Sequence, residues 1–181
     1  MNISVDSLVK RFDHIKSNRE NWNAHWQECA DFCLPQKAII TVGRAPGTKL
    51  KADLYDSTAI QGAQIFAAGL HSYLTNPSSR WFALGVKNKA LKDNFEVKGW
   101  LKECEDGIFD AINGSNFNEI ISEDYGDFAI FGNSTLYEEE EPEDIVTFSV
   151  RPPSEIYFLV NHRGKIDTVY REFTFSARQA Y

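Results

Sequence analysis

A stripe of apolar residues at steps of three and four runs through the first 33 residues and sets the scale of the whole chain. Its members are Val5, Leu8, Phe12, Ile15, Trp22, Trp26, Cys29 and Cys33, with Arg19 in the one position that lacks an apolar side chain. Such a period belongs to an amphipathic helix, and Pro35 ends it. The spacing predicts one long helix over residues 1–35, roughly 45 Å from end to end at 1.5 Å per residue. A compact domain of this chain length has a diameter of only about 40 Å. The predicted helix therefore either lies across the full domain or rests part of its stripe on a neighbouring subunit.

Beyond it, Gly43 to Lys49 reads as a loop from its Gly and Pro content. Asp56-Ser57-Thr58 supplies good capping types for a second helix. That helix carries Ile60, Ala63, Ala67, Leu70 and Leu74, and stops before Asn76-Pro77. Its many small residues permit close approach of another backbone. Trp81 to Val86 alternates and predicts a strand. A third helix is expected from Phe95 to Ile112. A fourth, capped by Asn116, is expected to run to about Ala129. After Gly132 the period changes to two, with strands expected near 134–139, 145–151, 155–160 and 166–175. Asn161-His162-Arg163-Gly164 makes the hairpin turn between the last two. The order predicts an α+β fold with helices packed on an antiparallel sheet. It divides into the long helix (1–35), a helical part with one strand (56–131) and antiparallel strands (134–175). Ser176 and Gln179 stand at capping-box spacing, a signal that opens a helix, so a longer polypeptide is the expectation.

Charge and composition exclude more than they assign. The 13 Phe, 7 Tyr and 4 Trp are too many for a disordered chain. No apolar run approaches the 18 residues a bilayer span needs. Without a secretory signal, the odd set Cys29, Cys33 and Cys104 suits a reduced, intracellular protein. A net charge of −7 opposes indiscriminate binding to phosphate backbones. Gly43 to Lys49 misses the phosphate-loop spacing by one residue and puts Thr before Lys. His14, His25, His71 and His162 are scattered, and Cys29 with Cys33 lacks further ligands for a tetrahedral metal set. The acidic run Glu138 to Asp144 lacks the alternating oxygens and central Gly of a calcium loop, and reads as an exposed tip between two strands. No frame for a nucleophilic serine occurs. No catalytic residue, cofactor or metal is expected. The alternative from another class is a small metal-assisted hydrolase using Asp53, Asp56 and the glutamate run.

The order of motifs carries a resemblance. Trp22 to Trp26 leads to Pro35, then Gly47-Thr48-Lys49 and Leu54-Tyr55-Asp56-Ser57-Thr58. Ala67-Ala68-Gly69-Leu70 with Asn76-Pro77-Ser78 runs into Arg80-Trp81-Phe82. Trp100-Leu101, Ser115-Asn116-Phe117, Gly126-Asp127-Phe128 and Val169-Tyr170-Arg171-Glu172-Phe173 follow. This series resembles the N-terminal region of the head-to-tail connector, or portal protein, of short-tailed bacteriophages, over nearly the whole chain.

The resemblance implies a non-enzymatic subunit of a ring, usually dodecameric, at one vertex of the virion capsid, assembled in the host cytoplasm. DNA passes through that ring without sequence specificity in packaging and ejection. The implied partners are copies of itself, capsid and scaffolding proteins, and a terminase and tail adaptors that dock on later parts of the protein. The chain looks like the outer wing, with stem, clip and crown absent. A truncated portal that interferes with ring assembly is the alternative within this family. The positions carried over as structural or interface residues are Trp22, Trp26, Asp56, Ser57, Thr58, Asn76, Pro77, Trp81, Phe82 and Arg171. Arg171 is expected to pair with a carboxylate within the sheet.

Overall fold

The computed structural model describes residues 4–43, 45, 47–48, 54–142 and 145–179. Helices α1 (Val5–Asn18), α2 (Glu20–Cys33), α3 (Thr58–Leu74), α4 (Lys89–Lys92), α5 (Phe95–Gly114) and α6 (Phe117–Phe131) precede four strands. These are β1 (Leu136–Glu141), β2 (Ile145–Val150), β3 (Ile156–Val160) and β4 (Ile166–Arg171). The class is α+β, as expected. The chain divides into two compact units. One comprises Met1–Ala63, Asp127–Thr135 and Arg151–Tyr181; the other comprises Gln64–Gly126 and Leu136–Val150.

In the first unit the single long helix expected over 1–35 is instead two helices that divide at Arg19. That residue sits at φ −91°, ψ −7°, outside ideal helix geometry. The cause lies in its side chain. Where the stripe lacks an apolar group, the guanidinium leaves the helix pattern and donates to the carbonyl oxygens of Pro153 (2.9 Å), Ser154 (3.2 Å) and Ile156. It also lies 3.6 Å from the centre of the Tyr157 ring, a cation–π contact.

Pro35 then opens a short 3₁₀ turn (Pro35–Lys37) after α2, and the buried Gln27 organises the residues beyond it. Its amide oxygen accepts from the backbone N–H groups of Ile40 and Thr41, both at 2.9 Å, while its amide nitrogen donates to Ala38 O at 3.1 Å. Trp26, Ala30, Ala38 and Phe131 form the small core here, and the Trp26 indole N–H donates to Phe131 O at 3.1 Å. Gly132 ends α6 at φ +73°, the left-handed conformation a helix stop favours and glycine adopts without strain. The β3–β4 hairpin closes through Asn161 to Gly164 as the sequence predicts, with Gly164 at φ +72° and Asn161 Oδ1 accepting from Arg163 N.

The second unit is built on rings. Phe82 stacks on Phe109 at 4.3 Å and 13°, Trp81 on Phe117 at 5.9 Å and 9°, and Phe117 meets Phe148 edge-on at 5.1 Å. Trp81 to Val86 forms no strand, contrary to the expectation. Alternation sets which side chains point inward, but a strand also needs a backbone partner. Here Leu84 N finds the Glu105 carboxylate on α5 instead, at 2.8 Å. Asn116 was expected to cap α6 with its side chain. It spends that amide on β2, donating to Phe148 O (2.9 Å) and accepting from Phe148 N (2.8 Å), while Ser115 Oγ accepts from Phe117 N.

The four strands make two separate antiparallel hairpins, β1–β2 and β3–β4, rather than one sheet. The glutamate run begins inside a strand rather than lying wholly in the connection between two strands. Glu138 to Glu141 lie within β1, opposite Phe148, Thr147, Val146 and Ile145, and Glu143 and Asp144 fall outside the described residues. β-branched and aromatic partners across the ladder hold the acidic strand in register, and charge on an edge strand discourages further pairing.

Candidate functional site

The first unit carries an apolar groove of about 580 Å³ between α1 and the end of β4. Leu8, Val9 and Phe12 come from consecutive turns of α1, and Tyr170, Phe173 and Phe175 from β4 and the segment after it. Phe12 fixes the two walls together, with ring centres 4.9 Å from Tyr157 and 5.7 Å from Tyr170.

The charged residues at its rim are paired within the unit. Glu172 accepts from Lys16 Nζ at 2.6 Å and from the Tyr157 hydroxyl at 3.0 Å. Arg171 bonds Glu155 at 3.0 Å and lies 4.1 Å from the Phe173 ring centre. The Lys16 bond holds the Glu172 carboxyl below its ordinary range, and the same bond raises the Lys16 ammonium. Burial, then the bond to Glu172, pushes the Tyr157 hydroxyl up; burial lowers the Arg19 guanidinium. These groups lock the unit.

Helix α3, which begins in the first unit and runs from Gln64 to Leu74 in the second, is the exceptional surface. Its 17 residues include no Asp, Glu, Lys or Arg, yet none of them is buried. Its C-terminal end is tied down by His71 to Ser122 (3.0 Å) and Thr75 to Tyr125 (3.2 Å).

An apolar groove and an uncharged exposed helix, with buried polar groups committed to the fold, describe a surface for contact. The chain matches the family described as "Bacteriophage head to tail connecting protein" over residues 5–181. It belongs to that family. Two relatives agree. The chain is 25% identical over 173 residues to the "Probable portal protein" of Bordetella phage BPP-1, covering 95% of this chain and 31% of the relative. It is 25% identical over 175 residues to the "Portal protein" of Salmonella phage epsilon15, covering 96% and 32%. This connector-family chain thus spans about a third of the length of these relatives.

The residues singled out from the sequence are dispersed over both units. Trp26 is buried, whereas Trp22 is 59% exposed with its ring 6.0 Å from that of Trp26. Asp56 Oδ1 accepts from Thr58 N, and Ser57 Oγ accepts from the Gln61 amide, so this turn starts α3. Asn76 Oδ1 accepts from Ser78 N in the turn with Pro77 that follows it. Trp81 and Phe82 join the ring cluster, and Arg171 pairs with Glu155 just before β3.

Of the hydrolase set, Asp53 lies outside the described residues and Asp56 is engaged in its turn. Among the described residues no three His, Cys, Asp or Glu side chains gather as a metal site. Cys29, Cys33 and Cys104 are free thiols, and no helix of the described residues is long and apolar enough to cross a membrane.

Sequence reasoning missed Gln27, Lys16 with Glu172, and Lys37 with Asp127, the last a 2.7 Å ion pair to a carboxylate only 1% exposed. Arg19 alone left a signal: a charge standing inside an otherwise apolar stripe.

Proposed function

We propose that this chain is the outer, wing-like region of a portal subunit of a short-tailed phage, a structural component of the ring through which DNA is packaged and ejected. The observation that carries this is the family match across residues 5–181, to relatives named as portal proteins. The surfaces favour it: apolar contact faces, with the polar groups spent on internal locks. The role is mechanical, not catalytic. Copies of the chain surround the DNA path at a capsid vertex and meet the shell, while scaffolding protein, terminase and tail adaptors engage the assembly during maturation in the host cytoplasm. Charge fits a channel that does not hold its cargo. Twelve copies at −7 each would carry −84 from this region alone, which opposes adhesion of DNA to it.

The test is localisation in particles. An epitope placed in the exposed Asn161–Gly164 turn should label purified phage particles at a single vertex in electron micrographs. Particles that carry no label overturn the reading. Suppressed phage growth without incorporation would favour the interfering truncated portal instead.

A further inference from the structure

The four histidines differ in what their rings meet. His14 Nε2 lies 3.1 Å from the Asn18 amide, His71 Nδ1 3.0 Å from the Ser122 hydroxyl and His162 Nε2 3.3 Å from Arg163 Nε. His25 Nε2 instead faces sulfur, with Cys29 Sγ 3.8 Å away. Amide, alcohol and guanidinium groups offer little to a thiophilic cation, whereas thiolate and imidazole are its preferred donors.

Local structure sets this pair. Residues four apart on a helix stand one turn above another on the same face, and His25 and Cys29 both belong to α2. The helix is anchored through a different face, where Trp26, Gln27 and Ala30 are buried. The Trp22 ring stands edge-on to that of His25, with centres 6.3 Å apart, and limits its rotation. His25 is exposed and Cys29 half-buried, so an ion can arrive from solvent.

The spacing has the dimensions of a coordination chord. An ion with bonds of about 2.05 Å to nitrogen and about 2.3 Å to sulfur, at the tetrahedral angle, holds those two atoms about 3.6 Å apart. The observed 3.8 Å needs only a small adjustment of either side chain. While the thiol keeps its proton, hydrogen bonding to the imidazole maintains that spacing. Charge suits a cation as well: Glu28 acts electrostatically on Cys29, and α2 carries Glu20, Glu28 and Asp31 but no Lys or Arg.

We propose that His25 and Cys29 form a binding site for a thiophilic divalent cation of the zinc class. On binding, the Cys29 S–H bond breaks and its proton passes to solvent. Sulfur then donates an electron pair to the ion, as does the bare Nε2 of a His25 ring protonated at Nδ1. Among the described residues no three His, Cys, Asp or Glu side chains gather, so water fills the remaining positions and the site is an open one. The ion would staple two successive turns of α2, the helix that brings Trp26 and Ala30 to the core of the first unit. This site is independent of the ring reading.

Cadmium titrated into the purified full chain, kept reduced with a phosphine, should produce cadmium–thiolate charge-transfer absorption that saturates at one ion per chain. Two protein ligands supply about half the binding free energy of a four-ligand zinc site, which puts the midpoint at roughly 1–200 µM. Zinc should compete the band away. Cys29→Ser and His25→Ala should each weaken binding about tenfold or more, since losing an outer partner of a ligand already costs that much. Cys33→Ser removes only a neighbouring group and should change the midpoint by no more than about fivefold. Cys104→Ser should leave it unchanged. Circular dichroism checks that each variant keeps its helices, and Cys29→Ala replaces Cys29→Ser should that one unfold. No band up to about 1 mM cadmium, or binding that survives His25→Ala or loss of the Cys29 thiol, overturns the proposal. A band kept in His25→Ala but lost in Cys33→Ser would assign the ion to the two thiols and overturns it equally.

Discussion

The two units solve the same problem with opposite chemistry. The first joins segments far apart in sequence by directional polar bonds: Arg19 to the carbonyls of Pro153, Ser154 and Ile156, Lys16 to Glu172, Gln27 to residues 38–41. The second stacks Trp81, Phe82, Phe109, Phe117 and Phe148 on one another, and its ion pairs, Arg80–Asp106 and Lys102–Asp106, lie at the exposed margin of that stack. A ring stack gains from area and tolerates small shifts. A guanidinium fork binding several carbonyls tolerates almost none. The first unit should therefore be the more sensitive to geometry and solution conditions, and the second to lost volume.

The largest effect should fall on the stack. Phe117 is 6% exposed and touches both Trp81 and Phe148, so Phe117→Ala should cost about 3–5 kcal/mol in urea unfolding. The loss should be the same at pH 5 and pH 8 and indifferent to salt. A strong pH dependence would break the contrast between the units.

Arg19→Met comes next, at about 2–3 kcal/mol, because the stem is kept while charge-assisted bonds to the 153–156 carbonyls disappear. Arg19→Lys should recover less than half of it, since one ammonium cannot serve several carbonyls and stack on Tyr157 as well. Full recovery by lysine would show that charge alone matters here. Asn116→Ala tests the polar device that ties α6 to β2 in the second unit. It leaves both backbone groups of Phe148 without their side-chain partner and should cost about 1–2 kcal/mol.

This contrast also explains what the sequence could show. The three long helices between Thr58 and Phe131 and the turn at Asn161–Gly164 follow from local period and turn chemistry, which one chain carries in full, while the one-turn α4 left no such period. The order of motifs pointed to the connector family for the same reason. Pairing is another matter. Leu84 bonding to Glu105, the separation of β1–β2 from β3–β4, and Asn116 turning to Phe148 depend on which distant group arrives, and no local pattern encodes that. Arg19 is intermediate. Its place in the stripe was visible, while the carbonyls that draw it out lie about 135 residues away, the separation of Arg19 from Ser154. The contact surfaces were harder still. The small residues of α3 were legible, whereas the α1–β4 groove exists only once Phe12 meets Tyr157 and Tyr170.

The smallest effect isolates charge within the first unit. Lys16 and Glu172 are each about half exposed, at 48% and 45%, so their pair is screened and worth only a few tenths of a kcal/mol. Its pH profile is nevertheless distinctive. Glu172 is held below the ordinary value of 4.5, so its contribution is present above that value and disappears as pH falls through the lowered one. Lys16 is raised above 10.5, so its contribution is full below that value and is lost as pH climbs through the raised one. Tyr157, raised above 10.0 chiefly by burial, loses its contribution on the same alkaline side. The melting-temperature difference between wild type and Glu172→Gln should therefore be flat from about pH 5 to pH 10 and shrink outside that window. Added salt should reduce it within the window. A difference that persists unchanged into strong acid, where the carboxyl is neutral, would mean that hydrogen bonding from the Tyr157 hydroxyl on β3, rather than the ion pair to Lys16 on α1, is what Glu172 contributes, and the polar unit would then resemble its aromatic counterpart more than its charges suggest.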